Sequence, residues 1–150
     1  MTAREFVSSS EEETRELGRR LGEVLTGGIC VLLYGDLGAG KTVFVRGVGE
    51  ALGVQGVRSP SFTLINEYPS EAGLVVVHAD LYRLDDADSL GLEEYAGDDG
   101  CVLFVEWPER WRNPPVDGVL SVKIEAVSET ERRVSISAQG ASAEGVVMRL

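Results

Sequence analysis

The sequence predicts an α/β sandwich, with a mostly parallel central sheet and antiparallel strands toward the C-terminus. Three observations lead there. Three short, unbroken apolar runs, Ile29–Tyr34, Leu74–His78 and Cys101–Val105, read as strands buried on both faces. Segments with helical spacing lie between them. Two alternating runs near the end, Val119–Ala126 and Arg133–Ala138, read as half-exposed strands. Helices mixed with buried strands, followed by strands of the alternating kind, define this layered class.

Ser8-Ser9-Ser10 followed by Glu11, Glu12 and Glu13 marks the first helix start. Ser10 and Glu13 have capping-box spacing, and the acids suit the positive end of the helix dipole. Leu17, Leu21 and Leu25 form one apolar stripe, and Gly27-Gly28 stops the helix. After the strand Ile29–Tyr34 comes a glycine-rich turn, then a helix over Thr42–Leu52 with Phe44, Val45, Val48 and Leu52 inward, ended by Gly53. Phe62–Tyr68 is a strand, and the turn from Pro69 to Gly73 leads into Leu74–His78, whose line ends at Asp80. Asp88–Tyr95 is a short helix, and Cys101–Val105 runs into Glu106. Pro108 and Pro114-Pro115 mark loops. The two alternating runs form an antiparallel pair, joined by a further strand at Val146–Leu150. There is no internal repeat and no low-complexity tract.

The 150 residues, 43% of them apolar, suffice for one domain with a sizeable core and are too few for two of full size. The formal charge is −11, and Lys41 and Lys123 are the only lysines. Such a surface repels phosphate backbones and excludes unaided, non-specific nucleic-acid binding. The acidity is concentrated in the second half, which carries −8 against −3 for residues 1–75. Between Asp80 and Asp99, eight acids face the single base Arg83, as a solvated face or as a docking surface for a basic partner. No window matches a membrane span, and Met1–Ser10 lacks the layout of a signal peptide. Cys30 and Cys101 lie inside apolar runs and read as buried reduced thiols, which makes the cytoplasm the expected compartment.

Gly35-Asp36-Leu37-Gly38-Ala39-Gly40-Lys41-Thr42 matches the P-loop pattern, with a buried strand before it and a helix after it. Glycines let backbone N–H groups close around phosphate, and the helix N-terminus adds positive potential. The expected nucleotide contacts run from Asp36 through Leu37, Gly38, Ala39, Gly40, Lys41 and Thr42 to Val43. Lys41 would reach the β- and γ-phosphates and the Thr42 hydroxyl would hold Mg²⁺. Asp36 contacts nucleotide or water, or else shapes the turn. The expected fold is thereby a P-loop NTPase-like sandwich.

A phosphate loop needs acids at the carboxyl ends of neighbouring strands. Asp80 and Glu106 stand there. Glu106 is assigned to the metal, directly or through water, although an apolar run followed by Asp is the usual form. Asp80 supports the metal or orients the attacking water. Lys41, Asp80 and Glu106 are thus the expected catalytic residues. His78, the single histidine, reads as a packed strand residue rather than a general base. Trp107 packs beside the nucleotide or the switch segment, or is a core tryptophan. Arg83, Arg132 and Arg133 are candidate phosphate or partner contacts, with Arg133 on a solvated strand face. Ser59-Pro60-Ser61-Phe62-Thr63 lies where P-loop proteins place a γ-phosphate sensor, so Ser59, Pro60, Ser61 and Thr63 form the expected switch-like segment.

Taken together, the P-loop, Ser59-Pro60-Ser61-Phe62-Thr63-Leu64, His78-Ala79-Asp80-Leu81-Tyr82-Arg83-Leu84 and Glu106-Trp107-Pro108-Glu109 resemble the TsaE (YjeE) family over about residues 8–140. Ser61 departs from the family's usual Thr, and the strands from about Val116 onward match only in general pattern. The resemblance implies a small ATPase of the machinery that makes N6-threonylcarbamoyladenosine at position 37 of tRNA. It would act with TsaB and TsaD, meet tRNA only through that complex, and reset the complex without performing the transfer. It also implies phosphate and Mg²⁺ contacts at Lys41 and Thr42, Mg²⁺ at Glu106, active-site places for Asp80 and Trp107, and an approach of Ser8–Thr14 to the adenine. No arginine finger is evident, so slow turnover without partners is expected. A monomer is compatible with the sequence. Two other readings use the same loop: a small-molecule kinase, which would need an arginine-bearing lid, and a nucleotide-gated interaction module without turnover.

Overall fold

The computed structural model describes residues 2–36, 38–54, 56–57, 64–84 and 90–150. Among the described residues seven strands form one sheet in the order β1-β7-β6-β2-β5-β4-β3. Its centre is parallel: β2 (Cys30–Tyr34) lies between β5 (Cys101–Glu106) and β6 (Val119–Ala126), and β4 (Val75–Asp80) joins β5 on the far side. Both margins are antiparallel. β7 (Arg132–Gln139) pairs with β6, β1 (Thr2–Ser8) pairs with β7, and β3 (Ile65–Pro69) pairs with β4. Among the described residues no helix is long and apolar enough to cross a membrane.

α1 (Glu11–Val24) and α2 (Lys41–Leu52) cover one sheet face together with α4 (Ala141–Met148), burying Leu17, Leu21, Phe44, Val48 and Val146 against Val31, Phe104 and Leu120. α3 (Leu92–Ala96) and the turn after β5 cover Leu32, Val77, Leu103 and Val105 on the other face. Cys30 and Cys101 are buried free thiols, and burial pushes Cys30 up to about 12. The capping box forms with one leg displaced: Glu13 N–H donates to Ser10 Oγ at 3.1 Å, but Glu13 Oε1 accepts from Ser9 N–H at 3.2 Å instead of from Ser10.

Two elements differ from the sequence expectation. Val146–Leu150 is not a strand; it falls on α4 and the turn after it. Ala143, Val146 and Val147 are buried at helical spacing, and the place beside β7 is filled by β1. β1 itself was not expected, because Thr2–Ser8 has no clean alternation: Arg4 and Glu5 are both exposed at this sheet edge. The strand expected over Phe62–Tyr68 starts at Ile65 among the described residues, and the helix expected over Asp88–Tyr95 is described from Leu92 to Ala96.

α1 and α2 touch backbone to backbone. A β-carbon on Gly18 would run into the Phe44 carbonyl, and one on Gly47 into the Arg15 carbonyl. This contact sets the N-terminus of α1 beside the start of α2, where Thr14 Cγ2 lies 3.7 Å from the position a Gly40 β-carbon would take. Gly18→Ala is therefore expected to cost about 1–3 kcal/mol, seen as a Tm lower by roughly 2–12 °C in thermal unfolding. An unchanged Tm would show that the helices part without cost.

Candidate phosphate-binding site

β2 delivers the chain into the loop, and the loop ends where α2 begins at Lys41. Ala39 N–H donates to the Asp36 carbonyl at 3.0 Å, so the backbone of exposed Asp36 closes the turn. Gly40 is the N-cap of α2 at φ 110°, a conformation L side chains avoid, and among the described residues no side chain caps the helix. Thus the first-turn N–H groups of α2 have no side-chain cap competing for them, whereas Ser10 occupies that place in α1. Gly38, Ala39, Thr42 and Val43 share this loop and helix start. Leu37 lies outside the described residues, as do Ser59, Pro60, Ser61 and Thr63 of the expected switch-like segment.

Lys41 is only 5% exposed. Its Nζ donates to the Gly35 carbonyl at 2.7 Å and sits 4.4 Å from the Trp107 ring centroid. Trp107, half-buried, adopts φ 58° directly after β5 and packs against Tyr82 with centroids 4.8 Å apart and the rings tilted by 49°. The tryptophan thus packs against the loop lysine.

The two strand-end acids are brought together by parallel register. Asp80 pairs with Glu106 across β4 and β5. Asp80 is half-buried, and its Oδ1 accepts from Tyr82 N–H at 3.0 Å. Burial is the main cause that lifts its carboxyl above the usual carboxylate value; the neighbouring Glu106 charge adds to this, while the Tyr82 N–H, His78 and Lys41 work against it. Glu106 is 4% exposed, and its Oε2 lies 2.5 Å from His78 Nε2. His78 is indeed packed within its strand, and it also holds an acid, which sequence reasoning missed. The available signal was a polar residue inside an otherwise apolar run.

Of the arginines, Arg132 reaches the loop: Nε donates to the Ala39 carbonyl at 3.0 Å and Nη1 to the Ser128 and Glu131 carbonyls. Arg133 is exposed and 3.6 Å from Glu5, as a solvated face requires. Arg83 is exposed on the turn after β4. Within the acidic stretch, residues 85–89 lie outside the described residues, while Glu93, Glu94, Asp98 and Asp99 are exposed.

Among the described residues two cavities flank the loop. One of about 250 Å³ is lined by Ser9, Ser10, Thr14, Gly40, Val43 and Arg132. A larger one, about 830 Å³, opens beyond Asp36 and Trp107 over Lys123 and Ser135. Neither is lined by Lys41, Thr42, Asp80 or Glu106, so size alone does not locate the charged cluster. Among the described residues no three His, Cys, Asp or Glu side chains converge into a metal cage. One or two carboxylates beside a hydroxyl and a phosphate loop suit a hard cation that keeps water and phosphate oxygens as its other ligands, as magnesium does.

The raised Asp80 carboxyl has a consequence for stability. The folded chain binds that proton more tightly than the unfolded one. Stability therefore falls as pH rises from the ordinary carboxylate value through the raised folded value, and the deficit persists above it. Without nucleotide or divalent cation, Asp80→Asn is expected to raise Tm at pH 7, with the advantage vanishing below the ordinary carboxylate value. Thermal melts across pH check this, and a variant less stable at pH 7 would contradict it.

Known proteins give this geometry a family. The family model described as "Threonylcarbamoyl adenosine biosynthesis protein TsaE" matches residues 8–134. A protein of Aquifex aeolicus named tRNA threonylcarbamoyladenosine biosynthesis protein TsaE is 41% identical over 136 residues, covering 89% of this chain and 95% of that protein. The Bacillus subtilis protein of the same name is 37% identical over 131 residues, covering 86% and 82%. The crystal structure of Bacillus subtilis YdiB superposes with a TM-score of 0.79 at 31% identity, covering 98% of this chain and 93% of that one. By sequence along most of its length and by fold, the chain belongs to the TsaE family.

Proposed function

We propose that this chain is the ATP-binding and ATP-hydrolysing subunit of the machinery that makes N6-threonylcarbamoyladenosine in tRNA. In this reading it acts with TsaB and TsaD to reset or activate their complex and is not itself the transferase. The observation that carries the reading is a helix start without a side-chain cap, with a buried lysine at its first position and two register-paired acids at the adjoining strand ends. Family membership and the names of the relatives supply the pathway.

The triphosphate lies along the loop from Gly38 to Thr42 and takes N–H donors from the first turn of α2. Lys41 exchanges the Gly35 carbonyl for phosphate oxygens, with the Trp107 ring beneath its ammonium. The adenine lies toward the smaller cavity, between the Ser9–Thr14 segment and Arg132. Thr42 and Glu106 hold Mg²⁺, which when bound neutralises charge on the β- and γ-phosphates. Asp80 orients water or supports that ion. Arg132 directs its guanidinium to the Ala39, Ser128 and Glu131 carbonyls, so turnover is slow until partners supply or order further groups. An acidic chain of charge −11 meets tRNA through its complex rather than alone.

The test is phosphate release from ATP, measured alone and with TsaB and TsaD. Release is expected to rise with the partners and to fall about 10²–10³-fold in Lys41→Ala. Phosphate transferred only to an added metabolite would mark a kinase instead. Nucleotide-dependent partner binding without turnover would mark an interaction module. Glu106→Ala is expected to lose magnesium-dependent hydrolysis while keeping much of its nucleotide binding; unchanged hydrolysis would refute the metal assignment.

A further inference from the structure

The hydrolysis proposed above leaves the buried imidazole of His78 without a task. His78 is the chain's only histidine and is 0% exposed within β4. It pairs in register with Phe104, so Glu106 stands two positions further along the neighbouring parallel strand, on the same sheet face. Its Nε2 lies 2.5 Å from Glu106 Oε2, while the equally buried Nδ1 has no hydrogen-bond partner among the described residues. These facts place the proton. A buried carboxylate needs a donor, and an unpaired lone pair is better tolerated in a protein interior than an unpaired N–H. An N–H on Nδ1 alone would have nothing to accept it and would leave Glu106 without its donor, so a proton on Nε2 faces Glu106.

We propose that His78 is a positioning residue: its Nε2–H holds Glu106 Oε2, fixing the carboxylate in one orientation and leaving Oε1 for the magnesium ion. This rests on the assignment of Glu106 to the metal. It also accounts for a glutamate where an aspartate is usual. The longer side chain has one more rotatable bond, and a donor buried beside it removes that freedom. Carboxylates that ligate metals are commonly held by such a hydrogen bond. A purely space-filling residue here would be apolar, like Val76 two positions earlier on the same strand face, and would leave no orphaned nitrogen.

The single imidazole makes the proton directly visible. In ¹⁵N-labelled protein, long-range ¹H–¹⁵N correlation is expected to show a protonated Nε2; a bare Nε2 overturns the proposal. Mn²⁺ binding to the ADP complex, followed by electron paramagnetic resonance, tests its purpose. His78→Leu is expected to weaken Mn²⁺ binding about 10–100-fold, with ADP binding in the absence of metal unchanged. His78→Gln, whose amide nitrogen can stand near the Nε2 position, is expected to retain most of the affinity. No loss in His78→Leu, or equal loss in both variants, overturns the proposal. Should His78→Leu fail to fold, His78→Asn takes its place, because its shorter amide does not reach Oε2. Glu106→Gln separates the two assignments. If it leaves Mn²⁺ binding intact, the metal role of Glu106 falls and the inference with it. If it weakens binding while His78→Leu does not, the inference alone falls.

Discussion

The Glu106 carboxylate sits at the end of a central strand with 4% of its surface exposed, and the site is arranged around the cost of keeping it there. An ionised carboxylate out of water is costly unless donors and positive charge surround it. His78 offers a hydrogen bond from the next strand, and such a bond to a charged group contributes about 1.5–3 kcal/mol. Its register partner Asp80 bears part of that cost, since the Glu106 charge adds to the burial that lifts the Asp80 carboxyl. A bound cation would relieve both at once. The free protein thus holds a local electrostatic debt that a magnesium nucleotide can settle.

The loop stands opposite these acids with a matching deficit of negative charge. The two helices that meet at the loop, α1 and α2, begin differently. α1 is closed by Ser10 and by the displaced Glu13 bond, while α2 begins at Gly40 without a side-chain cap. The glycine contacts between the helices hold the capped end against the uncapped one. Ser8 Oγ and Thr14 Oγ1, 2.7 Å apart, tie β1 to α1 in the same corner. Edge strand, first helix and phosphate loop are therefore one packed unit.

The loop was readable in the sequence because its residues are contiguous and its flanks are a buried strand and a helix. Asp80 and Glu106 were readable as strand ends, since parallel neighbours deliver their last residues to one edge. The bond between His78 and Glu106 was not, because register between strands 28 positions apart is set by packing and not by spacing along the chain. The same holds for Arg132, whose reach to Ala39 crosses 93 positions. Val146–Leu150 misled because a short apolar run fits strand and helix equally, and only the pairing of β1 with β7 decides which place is free. β1 escaped notice because an edge strand with Arg4 and Glu5 on it lacks alternation.

Those outer strands also govern how copies of the molecule behave toward one another. A sheet border with free N–H and C=O groups invites a second border to zip onto it. Here one border carries Arg4 and Glu5, and the other carries exposed Glu67 and terminates at Pro69, which has no N–H to give. Among the described residues neither rim offers a smooth, uncharged ladder, so the seven-stranded sheet resists the addition of a second border even when the protein is crowded.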